Sequence, residues 1–274
     1  MAKSGPGPSA SALALAASLA MGCAVAPAAL PGGHRVDLTH PFDAETIYWP
    51  TEEGFVLERG TSGMTEGGYH YEAHRFRAAE HGGTHLDAPI HFHAEGWTLD
   101  EIPLDRLIGP GVVVDVEEAC ASDRDHAIGV ADLEAFEARF GPIPTGAIVL
   151  LRTGFGRFWP DRRAVLGTDA RGPEAVARLR FPGLAPEAAR WLVAERKIRA
   201  VGLDTPSIDR GRSKTFEAHR ILAAANVPAF ENLANLDRLP PTGIQVIALP
   251  MKVRGGSGGP LRAVAIVPAD GEAP

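Results

Sequence analysis

Pro186-Glu187-Ala188-Ala189-Arg190-Trp191-Leu192-Val193-Ala194-Glu195-Arg196-Lys197 runs directly into Ile198-Arg199-Ala200-Val201-Gly202-Leu203, and this junction decides the fold class. Proline in a first helical turn lacks only an amide that the helix start leaves unpaired. Ala188, Trp191 and Leu192 then recur at three- and four-residue spacing, the mark of a helix with one apolar stripe. The six residues that follow switch to a short apolar run suited to a strand. A helix feeding a strand argues for an α/β layered fold over a sandwich or a bundle.

The same alternation extends in both directions. Strand-like runs occur at Arg35 to Thr39, Tyr71 to Ala78, Gly111 to Val116, Ala147 to Thr153, Ile244 to Leu249 and Ala263 to Val267. Several are unbroken apolar runs, as expected for strands covered on both faces. Asp132 to Phe140 places Leu133, Phe136 and Phe140 on one stripe and stops at Gly141, and Thr215 to Ala225 stops at Asn226, so both read as helices. Between these elements fall most of the 31 glycines and 23 prolines. The loops are therefore long and are expected to build the site.

At 274 residues and 45% hydrophobic content, the chain is read as one main domain over residues 31 to 274. The net charge of −7 and the lack of any Lys or Arg run leave nucleic-acid binding without its electrostatic source. Two cysteines, Cys23 and Cys120, cannot make a disulfide framework. The stretch Ser9 to Ala29 is almost wholly Ala, Leu, Ser, Val, Gly and Met, with small residues at Ala26 to Ala29. It reads as a signal peptide, implying an exported, periplasmic protein; the alternative is a disordered extension of a cytoplasmic one. No other apolar run approaches the ~20 residues needed to span a bilayer.

The chemistry is concentrated in His81-Gly82-Gly83-Thr84-His85-Leu86-Asp87-Ala88-Pro89-Ile90-His91-Phe92. Imidazole and carboxylate together suit Zn²⁺ or Mn²⁺. His81 and His85 stand four apart, as on a metalloprotease helix, but Gly82 and Gly83 each cost such a helix about 1 kcal/mol. A glycine turn entering an extended segment is preferred. There His85 and Asp87 share a face at period two, the turn folds His81 back to join them, and His91 lies close enough to act on a water at the metal.

The pattern H-x-G-T-H-x-D-x-P-x-H-F resembles the signature of the cyclase-like metal hydrolases, a family that includes bacterial kynurenine formamidase and isatin hydrolase. Leu38-Thr39-His40-Pro41, Tyr48-Trp49-Pro50, Ile108-Gly109-Pro110, Gly202-Leu203-Asp204-Thr205-Pro206-Ser207-Ile208-Asp209, His219 and Glu231-Asn232-Leu233 follow the family's order. The resemblance covers about residues 34 to 267. It implies a layered β/α/β swivelling-type fold with a mixed sheet core, and a homodimer or homotetramer. His81, His85 and Asp87 are then metal ligands, His91 is the general base, and His219 and Glu231 complete a site for one or two Mn²⁺ or Zn²⁺ ions. The implied activity is opening of a small aromatic amide: the isatin lactam first, N-formylkynurenine as the alternative. A non-catalytic metal-binding or small-ligand protein is the alternative of another class.

Other residues carry weaker signals. Trp49, Phe55 and Ser207 are candidate substrate contacts. His70, Glu72 and His74 alternate along one expected strand as a second ligand candidate or a solvated face. His40 is expected to hydrogen-bond behind the site. Asp204 is read as functional or as a loop cap, Ser213 as a substrate contact or a helix cap, and Cys120 is assigned no chemistry.

Overall fold

Two apolar cores, one on each side of a single sheet, explain the unbroken apolar runs. The computed structural model describes residues 1–2 and 33–269. The apolar stretch Ser9 to Ala29 lies outside the described residues. Eight strands form the main sheet: β1 (Gly33–Asp37), β2 (His85–Asp87), β3 (Ile108–Asp115), β4 (Ile148–Arg152), β5 (Ala200–Leu203), β6 (Ala229–Glu231), β7 (Ile244–Pro250) and β8 (Gly258–Pro268). Their order is β1-β8-β7-β3-β4-β5-β6-β2, and β2 also pairs with β8. Seven strands thus close into a barrel-like ring, with β1 attached to β8. The pairs β3–β4, β4–β5 and β5–β6 are parallel and the others antiparallel, so the sheet is mixed as expected.

Side chains alternate between faces along a strand. Val112, Val114, Val149, Leu151, Val201 and Leu203 face outward and meet the helices α1 (Val130–Phe140), α2 (Pro186–Trp191) and α3 (Glu217–Ala224) through Leu133, Phe136, Ala188, Ala189, Ala218 and Leu222. Their neighbours Val113, Ile148, Leu150 and Ala200 face the other way and pack with Leu86, Phe230, Val246 and Ala263. Each fully buried Val, Leu or Ile contributes roughly 1.5–3 kcal/mol. A one-residue register slip would exchange the two sets, so both cores hold the pairing in place.

The expected helices are present with shifted ends. Asp132 caps α1 by accepting from the Gly129 amide at 2.8 Å, and Gly141, at φ 87°, ends it. After Trp191 the α2 helix widens into a π-turn, Leu192–Arg196, and ends at Lys197 with φ 49°. The stretch Tyr71 to Ala78 is not one strand. It divides into His70–Glu72, paired with Ser62–Met64, and Arg75–Arg77, paired with Val56–Glu58. The Ala73 amide turns instead to the Thr61 carbonyl at 2.9 Å, and all six residues of the two divided segments are exposed, so no core imposes continuity. Among the described residues, no helix is long and apolar enough to cross a membrane.

Candidate metal centre

The turn before β2 requires glycine twice. Gly83 has φ +59°, in the left-handed region, and a Cβ on Gly82 would land on the Tyr48 ring. The turn carries His81 back over the strand it precedes, placing its Nδ1 2.7 Å from Asp87 Oδ1. Along β2, Leu86 points into the core while His85 and Asp87 share the opposite face, with His85 Nε2 3.1 Å from Asp87 Oδ1.

Ring closure supplies the rest. Strand β6 pairs antiparallel with β2 and sets Glu231 opposite His85, 3.5 Å from its Nε2 through Oε2. Helix α3 contributes His219, whose Nε2 lies 3.2 Å from Asp87 Oδ2 and 3.1 Å from Glu231 Oε1. Two triads result, His81-His85-Asp87 and Asp87-His219-Glu231, sharing Asp87.

The far nitrogen of each imidazole is held by an oxygen. His85 Nδ1 donates to the Gly83 carbonyl at 3.0 Å, and His219 Nδ1 to Asp209 Oδ2 at 2.6 Å. His81 Nε2 meets Ser257 Oγ at 2.9 Å. The two pure acceptors, the Gly83 carbonyl and the Asp209 carboxylate, fix the tautomer that leaves the near nitrogen's lone pair facing a cation. Burial and the Asp87 charge push the Glu231 carboxyl up. Burial opposes ionisation of Asp87 too, but the three surrounding histidines hold it well below the usual range. For His85, burial alone would lower the pKa, yet the bond to Asp87 and the charges of Asp87 and Glu231 push it up to about 9. No Lys or Arg lines this cavity among the described residues. Two buried carboxylates balanced only by exchangeable histidine protons suit a divalent cation.

His91 ends the short turn Pro89–His91, and its ring stacks on that of His81 at 3.8 Å and 18°. Burial, reinforced by the neighbouring histidines and opposed by Asp87, lowers it to about 4, so it stands neutral near pH 7. The cluster opens onto a cavity of about 460 Å³ walled by Trp49, Phe92, Phe216 and Ser207. A larger hollow of about 850 Å³ shares none of these residues. It is lined by Asp115, Glu117, Asp132 and Arg152, with Arg152 paired to Asp115 and Glu117, and by no histidine.

The Cyclase family model matches residues 36–210. The chain belongs to the Cyclase family.

Within this family the chain is 35% identical to an isatin hydrolase of Roseibium aggregatum over 198 residues, 69% of this chain and 72% of that protein. It is 31% identical to a kynurenine formamidase of Salinibacter ruber over 229 residues, 84% of this chain and 95% of that protein. Isatin hydrolase A from Labrenzia aggregata, solved with benzyl benzoate, superposes with a TM-score of 0.77 at 34% identity, covering 86% of this chain and 94% of that one. A predicted metal-dependent hydrolase from Bacillus stearothermophilus gives a TM-score of 0.62 at 26% identity over 85% of this chain and 98% of that one.

Of the residues singled out in the sequence, His81, His85, Asp87, His91, His219 and Glu231 meet in this one cyclase-family site, and Trp49 and Ser207 line its cavity. Phe55 is not among the lining residues; it packs on Phe42 at 5.8 Å and on Phe76 at 5.7 Å. His40 does not bond to the cluster through its ring, which stacks on Trp159 at 4.3 Å with a buried Nε2 that has no partner among the described residues. Only its amide reaches toward the site, donating to Thr84 Oγ1 at 2.9 Å. Glu72 and His74 pair at 2.6 Å on the exposed hairpin, and His70 joins no ligand group among the described residues. Asp204 is a loop cap that accepts from the Thr153, Gly154 and Gly156 amides. Ser213 accepts from the Phe216 amide at 3.1 Å just before α3, and burial pushes the Cys120 thiol up to about 12.

Asp209, Ser257 and Glu80 were not foreseen as parts of the site. Asp209 stands ten positions before His219, and an acid at that distance is no motif. Ser257 lies in Gly255-Gly256-Ser257-Gly258-Gly259, which reads only as a turn.

Proposed function

We propose that the chain is a metal-dependent hydrolase that opens the lactam ring of isatin to isatinate. The observation that carries this reading is the convergence of His81, His85, Asp87, His219 and Glu231 at the foot of an aromatic-walled cavity, with the far nitrogen of all three imidazoles anchored. The similarity to isatin hydrolases in sequence and in solved structure supports the substrate.

His81, His85 and Asp87 would hold the ion, and His219 and Glu231 complete the same centre or a second one sharing Asp87. Mn²⁺ or Zn²⁺ there supplies Lewis acidity toward a carbonyl oxygen and acidifies water. Trp49 and Phe216 offer flat faces to an aromatic ring, and the Ser207 hydroxyl a hydrogen bond to its carbonyl groups. The neutral His91 imidazole takes a proton from the attacking water as its oxygen bonds to the amide carbon. When the carbon–nitrogen bond breaks, His91 returns that proton to the leaving nitrogen.

A second reading, deformylation of N-formylkynurenine, is favoured by the match to the Salinibacter ruber enzyme over 84% of the chain. Glu52 on the cavity lining would there face an ammonium group. The family resemblance also supports a homodimer or homotetramer, and the Ser9 to Ala29 stretch supports export.

The test is to strip divalent ions with chelator, restore Mn²⁺ or Zn²⁺, and follow isatin and N-formylkynurenine by absorbance. Metal-restored loss of isatin is expected. Preference for N-formylkynurenine would establish the second reading, and consumption of neither would overturn both.

A further inference from the structure

Ser257 differs from the other two groups that hold site histidines. The Gly83 carbonyl and the Asp209 carboxylate are pure acceptors, so each dictates an N–H on its histidine. A serine hydroxyl both donates and accepts, and by itself dictates nothing. Here it has one proton, and that proton is engaged. Ser257 Oγ donates to Glu80 Oε2 at 2.6 Å, and the Ser257 amide donates to the same oxygen at 3.1 Å. Toward His81 Nε2, 2.9 Å away, the hydroxyl oxygen is left only its acceptor role. Nε2 must then carry a hydrogen, which leaves Nδ1, 2.7 Å from Asp87 Oδ1, as the ring nitrogen that would turn its lone pair to a cation.

The backbone around Ser257 is fixed by ring closure. Its carbonyl accepts from the Ala88 amide at 2.9 Å, and the next residue, Gly258, is the register partner of Asp87 where β8 closes on β2. A Cβ at Gly258 would lie 2.5 Å from His81 Cε1 and 2.9 Å from Nδ1, so only glycine leaves room for the ring. The closing strand therefore sets both the plane and the tautomer of one metal-site histidine.

We propose that Ser257, backed by Glu80, is a positioning residue that selects the His81 tautomer presenting Nδ1 to the cation. This rests on the reading of His81, His85 and Asp87 as metal ligands. Removing Glu80's acceptor frees the hydroxyl to donate to Nε2, which turns an Nδ1–H toward the ion. Glu80→Ala is then as harmful as Ser257→Ala, while Glu80→Gln, whose carbonyl oxygen still accepts, is mild.

The experiment measures Mn²⁺ affinity by chelator competition for wild type, Ser257→Ala, Glu80→Ala, Glu80→Gln and the double alanine variant. In the metal-free proteins, ¹⁵N spectra of the histidine rings report the His81 tautomer. Ser257→Ala and Glu80→Ala are each expected to weaken Mn²⁺ binding about 10- to 100-fold. The double variant is expected to be no worse than either alone, and the melting temperature of the metal-free proteins to stay near wild type. Glu80→Ala should shift the ring proton from Nε2 to Nδ1. Wild-type affinity in Glu80→Ala, equal harm from Glu80→Gln, or an unchanged tautomer would overturn the proposal, and the Glu80 pair decides it even if Ser257→Ala fails to fold. A wild-type protein that takes up no Mn²⁺ would bring down the metal reading and this inference with it. Uptake by wild type and variants alike would bring down this inference alone.

Discussion

His219 and Asp209 are joined by a 2.6 Å hydrogen bond, Nδ1 to Oδ2, and the same carboxylate accepts the backbone amides of Ala218 and His219 at 3.2 and 3.1 Å. Burial opposes its ionisation, but the His219 contacts hold it below the usual range. One side chain thus starts α3 and orients the imidazole that α3 delivers. Asp209→Asn keeps the size but weakens the acceptor, and is expected to lower metal affinity and turnover together by about 10- to 100-fold. Circular dichroism should show the helix content unchanged. Asp209→Ala strips the amides of their partner and should also cost about 1–3 kcal/mol in denaturant unfolding.

His91 stacks on His81 without joining either triad. His91→Ala is therefore expected to keep its metal, measured by elemental analysis, while kcat falls about 10²- to 10⁴-fold. Near-normal turnover with full metal content would remove the proton-transfer role.

Acidity separates the metal-free from the loaded protein through His85. Its folded pKa of about 9 exceeds the reference 6.5, so the folded state binds the proton more tightly. That contribution to stability is complete below about pH 6.5 and is lost as pH rises toward 9. The melting temperature of the metal-free protein should therefore fall across this window. A bound cation needs the neutral imidazole, so metal affinity should rise about tenfold per pH unit for each displaced proton. Calorimetry in buffers of different ionisation enthalpy would count those protons.

Trp49 and Phe55 separate substrate contact from packing. Trp49→Ala should raise KM for an aromatic substrate, because Trp49 lines the cavity against Phe216. Phe55→Ala removes a ring held between Phe42 and Phe76 and should lower stability with KM little changed. Steady-state kinetics on both variants checks the pair.

The local parts of the site were legible in the sequence because short-range physics dictates them. Period-two spacing puts His85 and Asp87 on one face, and two glycines turn His81 back. The alternation of apolar runs and helices likewise announced an α/β layered fold, and the mixed sheet came with the family resemblance. Closure of that sheet was not legible. Strand β6 is only Ala229-Phe230-Glu231 and follows Pro228, too short for any period to show, yet its pairing with β2 sets Glu231 against His85. His219 and Glu231 were found through family resemblance, because Asp87 and His85, which they join, lie more than a hundred residues away in sequence. Ser257 was hidden for the same reason, being brought to His81 only by the closing strand.

The most direct test of the account is an anomalous-scattering map from a crystal of the Mn²⁺-loaded protein, collected at the manganese edge. The account predicts a peak within coordination distance of His81 Nδ1, His85 Nε2 and an Asp87 oxygen, lost in Asp87→Ala. Density elsewhere, or none at this cluster in a protein that still turns over isatin, would contradict it.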